Sequence, residues 1–537
     1  MERFVIVVTG AAVLCLQLVA SRIMAPFFGV SLYIWTGILS ITLLCLAVGY
    51  YLGGRYCHGA PAEAVETAFH RIPAVSGLAL TASAILYPVS LGPLARVDLI
   101  VGTFLASIML LAVPLVAMSA LNPLLVALER DSRVSHGDGD AGAGWVFFLS
   151  TLGSVAGVII AAFVLIPYLS SQQSVLLIAA LLCVLSLAGG GVRRHLPRRA
   201  RLVTAALALL GLLTVAGLQI ARTSQDGPGT VHDGGGTPWT TVASYPSAFG
   251  AMKVVEIGQG SDMVRALIND GLAQNGFLAD GRHAFLFTHA LETVALHLVP
   301  RPRRVLGLGL GAGALAEAFA LRGARVEVVE INERALPIAR RHFGYRPGPE
   351  TTIHVADART FVHGCQPSYD VVFVDLFVGD GMPEHLSTRE FFDDLRRCLA
   401  PGGVLAMNSF LDTADMTYYR SLLATLVSSF GPTAFIQQDK AASRTLTNGF
   451  LFAAADPSRL SAIASLSIDH SRVPPSLAVK LVNSLGSLQV VTPDSPLLAG
   501  APVLTDENNR ALSLASSSQL AFRASMVRAI PDAILAD

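Results

Sequence analysis

The chain has 537 residues, room for two or three domains. Charged residues reach only 14%, against roughly 25% in an ordinary soluble chain, and mean hydropathy is +0.57, so the chain is not soluble throughout and part of it reads as membrane. Formal net charge is zero, which removes the overall basic field that would argue for a nucleic-acid partner.

Seven apolar stretches come first, at 4–25, 32–53, 72–91, 99–128, 144–166, 174–190 and 202–220. Each comes close to or exceeds the ~20 residues that a bilayer crossing takes. The first does not read as a signal peptide: no small-residue cleavage site follows it, and a second span comes at once. Polar groups within the spans are few, chiefly Gln17 and Asn122, and no run of acids or histidines marks an ion-coupled pump. The spacings Gly49-x-x-x-Gly53 and Gly153-x-x-x-Gly157 suit close helix packing. Pro114 and the "LNPL" that starts at Leu121 predict a kink in the fourth span. An anchor or a binding vestibule is expected of residues 1–221.

The Arg-rich loops "GGRYCHGAPAEAVETAFHR", "ERDSRVSHGDGD" and "RRHLPRRAR" all fall on one side with Arg3 if seven stretches cross. The positive-inside rule puts that side, with the amino terminus, in the cytoplasm of an inner-membrane protein. An odd number of spans then sends everything after Ile220 to the opposite face, away from cytosolic cofactor pools. The sequence leaves open whether one stretch fails to cross. Residues 222–238, rich in Gly, Pro, Ser and Asp, read as a flexible linker, with His232 and Asp233 solvated.

Six cysteines show no CxxC pair and no zinc-ligand spacing, so they read as small apolar residues and no metal is expected. A Cys365–Cys398 disulfide is open to the chain if its domain faces an oxidising space.

From Trp239 the pattern changes. "WTTVASY", "MKVVEI" and "VRALIND" predict a small antiparallel sheet within 239–300. The helical stretch "RHAFLFTHALETVALHLV" follows. Over 301–515, buried strands "RRVLGLGL", "ARVEVVEI", "TTIHVADA", "YDVVFVDL" and "GGVLAMNS" alternate with helices. The expected fold is a multi-pass α-helical membrane domain joined to an α/β doubly wound, Rossmann-like domain of the class I methyltransferase type. Residues 516–537 form a tail expected to be helical.

Ligands of such sheets sit beyond the carboxyl ends of the strands. Four features fall there. Gly309, Gly311 and Gly313 form a turn that lets backbone approach a ligand, although that turn alone fits a dinucleotide fold equally. Glu330 ends the second strand, where a carboxylate can accept ribose hydroxyls. Asp357 follows the third, in reach of an adenine amino group. Asp375 ends the fourth, ahead of Asp380, Glu384 and His385. Taken singly, Glu330 or Asp357 could be an ordinary strand-end acid, and Asp412 and Asp415 read as solvated. The ordered set suits an adenosyl-sulfonium site better than a nicotinamide one.

From Trp239 to about Asn509 the chain resembles the spermidine synthase (polyamine aminopropyltransferase) family, and as a whole it resembles the membrane-fused bacterial members. "NDGLAQ", "VVEIN", "VADA" and "YDVVFVDLFVGDGMPEHLSTREFF" carry the likeness. The resemblance implies Asp375 as general base. It also implies Gly309, Gly311, Gly313, Glu330 and Asp357 around the nucleoside. Asp270, Gln274, His289, Asp380 and Glu384 would lie on the amine side. The implied co-substrate is decarboxylated S-adenosylmethionine, or S-adenosylmethionine. The implied partners are a putrescine-like amine and the bilayer, with no nucleic acid and with a homodimer allowed.

Departures from the family fall on the amine side. Ala312 stands where an Asp is usual, Val378 where a second acid is usual, Phe287 for a tyrosine and Asn332 for an acid. Two other readings therefore stand beside aminopropyl transfer. One is methyl transfer from S-adenosylmethionine; the other is a non-catalytic membrane protein that binds or transports polyamines or nucleosides.

Overall fold

The computed structural model describes residues 1–30, 32–133, 141–192, 197–224, 229–377, 379–438, 446–466 and 473–536. The chain divides into two compact units, Met1–Val231 with Ser244–Ala251 and Met526–Asp537, and His232–Ala243 with Met252–Ser525.

The first unit is helical: α1 (Glu2–Phe28), α2 (Leu32–Gly59), α3 (Ala62–Val97), α4 (Leu99–Ser119), α5 (Leu121–Arg133), α6 (Ala141–Ile160), α7 (Ile166–Tyr168), α8 (Ser171–Val192) and α9 (Arg198–Ser224). Among the described residues, seven helical stretches are long and apolar enough to cross a membrane. They match the seven apolar segments of the sequence. The break expected near "LNPL" falls at Ala120, between α4 and α5, while Pro114 lies inside α4.

Both small-residue spacings act as expected. A side chain at Gly49 would overlap Ser119 and the Val116 carbonyl of α4. One at Gly53 would lie 2.7 Å from the Ala120 carbonyl. Gly153 and Gly157 leave the same room for the backbone of Val7 and Ala11 in α1. Polar groups do gather at one end of this bundle, which the sequence did not suggest. Arg3 donates to Glu129 at 3.0 Å, and ligand atoms of Glu2, Glu66 and His70 lie within 4.8 Å of one another. The C-terminal turn α18 (Asp532–Leu535) also belongs to this unit, where Asp532 pairs with Arg96 of α3.

Strands β1 (Thr230–His232), β2 (Pro238–Tyr245), β3 (Met252–Ile257), β4 (Val264–Asn269) and β5 (Leu272–Leu278), most of whose residues belong to the second unit, form a five-stranded sheet in chain order. Part of the expected linker is therefore strand. Asp233 is not a free linker acid: it accepts from the Gly235 and Thr237 amides at 2.9 Å and from the Trp239 indole at 3.2 Å. Asp270 and Gly271 form the two-residue turn between β4 and β5, at φ 45° and 79°. Positive φ at both central residues is the hairpin geometry that an Asp-Gly pair favours.

After α10 (Leu286–Leu298), the chain builds an eight-stranded sheet of order β13-β11-β12-β10-β9-β6-β7-β8. The parallel strands are β6 (Arg304–Leu308), β7 (Arg325–Glu330), β8 (Thr351–Val355), β9 (Tyr369–Val374) and β10 (Leu399–Asp412). They are linked by α11 (Ala314–Ala320), α12 (Ala335–His342), α13 (Ala358–His363) and α14 (Arg389–Cys398). β8 departs from the expected buried strand because it is the sheet edge, and several of its residues stay half-exposed.

After α15 (Thr417–Phe430) come β11 (Thr433–Gln437) and β12 (Leu446–Ala454), which extend the sheet antiparallel. Past α16 (Pro475–Leu485), β13 (Gln489–Val491) closes that edge. Leu306, Leu308, Val372, Val374, Leu405 and Met407 are all fully buried in its core. The chain leaves this unit within α17 (Ala511–Ala529), after Ser525.

Candidate active site

Strand order reverses between β6 and β9, the first and fourth parallel strands in the chain. A doubly wound sheet opens its ligand crevice at such a switch point, outside the strand carboxyl ends. The glycine turn leaves β6 there and Asp375 leaves β9 beside it. The Asp375 amide donates to the Leu308 carbonyl at 2.9 Å. Gly309 (φ 94°) has no space for a Cβ, which would overlap the Asp375 carbonyl. Gly313 (φ 90°) would place a Cβ 2.6 Å from the Tyr345 ring. Both positions need glycine twice over, for conformation and for space. Gly311 (φ 54°) faces Asn275 of β5, 3.5 Å from its would-be Cβ.

Glu330 lies across the turn. One carboxylate oxygen accepts the Leu310 amide at 2.9 Å, the other the Asn332 amide at 2.8 Å. Burial pushes its carboxyl above the ordinary range, against those backbone amides. The strand end thus fixes the orientation of the acid through backbone amides. Asn332 turns inward instead, capping the Arg334 amide at 3.0 Å.

Asp357 caps α13 by accepting from the Thr360 amide at 2.8 Å, and its second oxygen lies 3.7 Å from His385. Burial opposes its ionisation, but Thr360 and His385 outweigh burial and hold the carboxyl below the usual range. One of its oxygens is therefore committed to helix structure.

Asp375 accepts from Asn408 of β10 at 3.0 Å. Burial pushes its carboxyl up to about 6, with the neighbouring Glu330 charge adding and Asn408 opposing. That value sits close to physiological pH, as a proton acceptor requires.

The amine-side candidates divide. Asp380 and Glu384 line a small open cleft together with Phe377, Phe410, Tyr418 and Gln519. Gln274 is the extra residue of a bulge in β5, where Ala273 and Asn275 pair with successive residues of β4. His289 is buried and its Nε2 lies 3.0 Å from the His283 carbonyl. Burial lowers both rings, His283 to about 4, so both are neutral at pH 7. Asp270 contributes its carbonyl, which accepts from Arg523 Nη1 at 2.8 Å. Val378 lies outside the described residues. Ala312 is fully buried in the turn and Phe287 is buried in α10. Asp412, expected in solvent, is buried and accepts from the Ala414 amide at 2.9 Å.

Three residues were not singled out from the sequence: Asn275, Asn408 and Arg523. The "AMNS" run placed Asn408 in a strand, and an amide one strand over from Asp375 was the available signal. Arg523 gave none beyond being a cation in a Ser- and Ala-rich helix.

An open, mostly parallel sheet, a glycine turn forced by packing and three strand-end acids define a doubly wound α/β domain with its candidate ligand site at the switch point. Within it, residues 284–447 match the spermine/spermidine synthase domain. The chain is 36% identical over 139 residues to the polyamine aminopropyltransferase of Vibrio vulnificus, covering 25% of this chain and 45% of that one. It is 27% identical over 218 residues to polyamine aminopropyltransferase 2 of Hyperthermus butylicus, covering 36% and 70%. Most of the curated relatives it matches are covered over half their length or less. These relatives are transferases by name. A probable spermidine synthase from Corynebacterium glutamicum aligns with 49% of this chain and 96% of its own, at 21% identity and a TM-score of 0.41.

Proposed function

We propose that the chain is a membrane-anchored aminopropyltransferase that moves an aminopropyl group from decarboxylated S-adenosylmethionine to an amine. The observation that carries this reading is Asp375: a carboxyl raised to about 6, fixed by Asn408, at the switch point beside the glycine turn and Glu330.

The residues fit the donor. Glu330 would accept the ribose hydroxyls, the 309–313 turn would lie against the nucleoside, and Asp357 would approach the base with its second oxygen. The sulfonium supplies its own leaving group. The acceptor nitrogen forms a bond to the methylene carbon, the carbon–sulfur bond breaks, and its electron pair stays on sulfur as methylthioadenosine. Asp375 takes the proton lost by the nitrogen, and Asn408 keeps its carboxylate aimed. Alignment of two bound reactants accounts for a large part of such a rate.

A second reading is methyl transfer from S-adenosylmethionine. The observation favouring it is Ala312, whose methyl is fully buried in the turn where the family carries an acid. Calorimetry on the purified protein separates the two. Aminopropyl transfer requires tighter binding of the decarboxylated donor and release of methylthioadenosine when amine is added. Preference for S-adenosylmethionine, with S-adenosylhomocysteine as product, would replace it.

We also propose that the spans hold this domain on the non-cytoplasmic side of the inner membrane. Seven candidate spans with a cytoplasmic amino terminus support that side, as does the disulfide that joins Cys365 to Cys398. The donor must then reach that face, so activity in right-side-out and inverted vesicles tests this part directly.

A further inference from the structure

Among the described residues, Arg523 is the largest fully buried side chain, with 0% of its surface exposed. Its Nε donates to one oxygen of Asp380 at 2.7 Å, Nη2 lies 2.6 Å from the same oxygen in the ion pair, and Asp380 is itself 5% exposed. Its Nη1 donates to the Asp270 carbonyl. The guanidinium thus bridges the β4–β5 turn of the small sheet and the loop that follows Asp375.

α17, which carries Arg523, is held in place along its length. Ser517 donates to Asp415 at 2.7 Å, and the Phe522 ring packs 4.9 Å from Phe410. Gly381 leaves no room for a Cβ, which would meet the Gln519 amide at 2.8 Å. Gln519 and Phe410 both line the cleft that runs from Asp380 to Ser409, the residue after Asn408.

A carboxylate buried this deeply requires a cation, since an unpaired one costs several kcal/mol. In a site that grips a diamine, the cation would be the ammonium at the far end of the substrate. Here the chain provides it: Arg523 already matches the Asp380 carboxylate, and Glu384 is the other carboxylate of the cleft lining.

We propose that Arg523 sets acceptor specificity by standing in for the distal ammonium. With α17 docked, Asp380 is not available to a substrate's far ammonium, so the site draws no preference for a diamine from that carboxylate. This rests on the transferase reading above, because it assumes that the cleft holds the acceptor.

The test is calorimetry of the full-length protein in detergent, with methylthioadenosine bound, comparing butylamine with 1,4-diaminobutane. The wild type should bind the diamine no more tightly than the monoamine. Arg523→Gln should favour the diamine at least tenfold, because Asp380 then lacks its cation. Arg523→Lys should keep the wild-type ratio, and Arg523→Gln with Asp380→Asn should lose the diamine preference. A wild type that already prefers the diamine overturns the proposal, and this outcome does not depend on any variant folding. So does an unchanged ratio in a folded Arg523→Gln protein, or failure of both amines to bind any variant. Methylthioadenosine binding is read separately: its absence counts against the transferase reading, while its presence without the switch in preference counts against Arg523.

Discussion

Asn408 of β10 donates to Asp375 at the end of β9, joining the amide of one parallel strand to the proposed base of its neighbour at 3.0 Å. The bond fixes the carboxylate and favours its charged form. Asp375→Asn should lower kcat by roughly 100- to 10,000-fold, the usual contribution of a general base, while methylthioadenosine still binds. Asn408→Ala should lower kcat about tenfold at pH 7. It should also move the acid limb of the rate profile to higher pH, which a merely structural role would not do. Full activity in Asp375→Asn would remove the residue from the mechanism.

Activity should depend on pH through the same group. The reactive form is the carboxylate, and its carboxyl is raised to about 6. kcat/KM should therefore fall about tenfold per unit below pH 6 and level off above it. Stability runs the other way. A carboxyl raised on folding binds protons more tightly in the folded state, so its penalty is absent below its unfolded value and complete above about 6. Asp375→Asn should then stabilise the protein at pH 8 by up to roughly 3 kcal/mol and have little effect at pH 3.5. Thermal unfolding at the two pH values checks the sign. Stabilisation at low pH only would contradict it.

The sheet could be read from the sequence because its strands are short apolar runs with punctuated ends. "VVFVD" and "VEVVE" place an acid at a strand end by their own lettering, and the structure puts Asp375 and Glu330 there. β8 reads as buried because "TTIHV" alone does not reveal that it lies at the sheet edge. Asp357 caps α13, a role visible in an Asp placed just before a helix. The amine side was harder. Asp380 could be recognised as an acid near the site, but its partner Arg523 lies 143 residues away, and no local pattern links the two. Asn408 sits among apolar neighbours and reads as part of a strand until the pairing of β9 with β10 is known.

The glycine turn predicts two kinds of loss. Gly309→Ala and Gly313→Ala each force a side chain into positive φ and into occupied space. Each should destabilise the domain by roughly 1–3 kcal/mol and abolish nucleoside binding. Gly323 (φ 82°) provides the control, since nothing lies within 4 Å of its would-be Cβ. Gly323→Ala should cost about 1 kcal/mol and leave methylthioadenosine affinity unchanged. Equal loss of affinity in all three would show that the turn acts only through stability.

The disulfide links stability to membrane sidedness. Cys365 follows α13 and Cys398 ends α14, with their Cα atoms 5.2 Å apart at a sequence separation of 33. Closing a loop of that size stabilises by about 3–4 kcal/mol in the chain-entropy account. Cys365→Ser, or treatment with a reductant, should therefore lower Tm by several degrees. In intact cells an outward-facing domain should keep the bond formed. A membrane-impermeant maleimide should then label Cys365 only after an impermeant reductant has been applied. Labelling that requires permeabilised cells would place the domain in the cytoplasm, where the thiols would be held reduced. One of the seven apolar helices would then not cross the bilayer, and the donor would be available without transport.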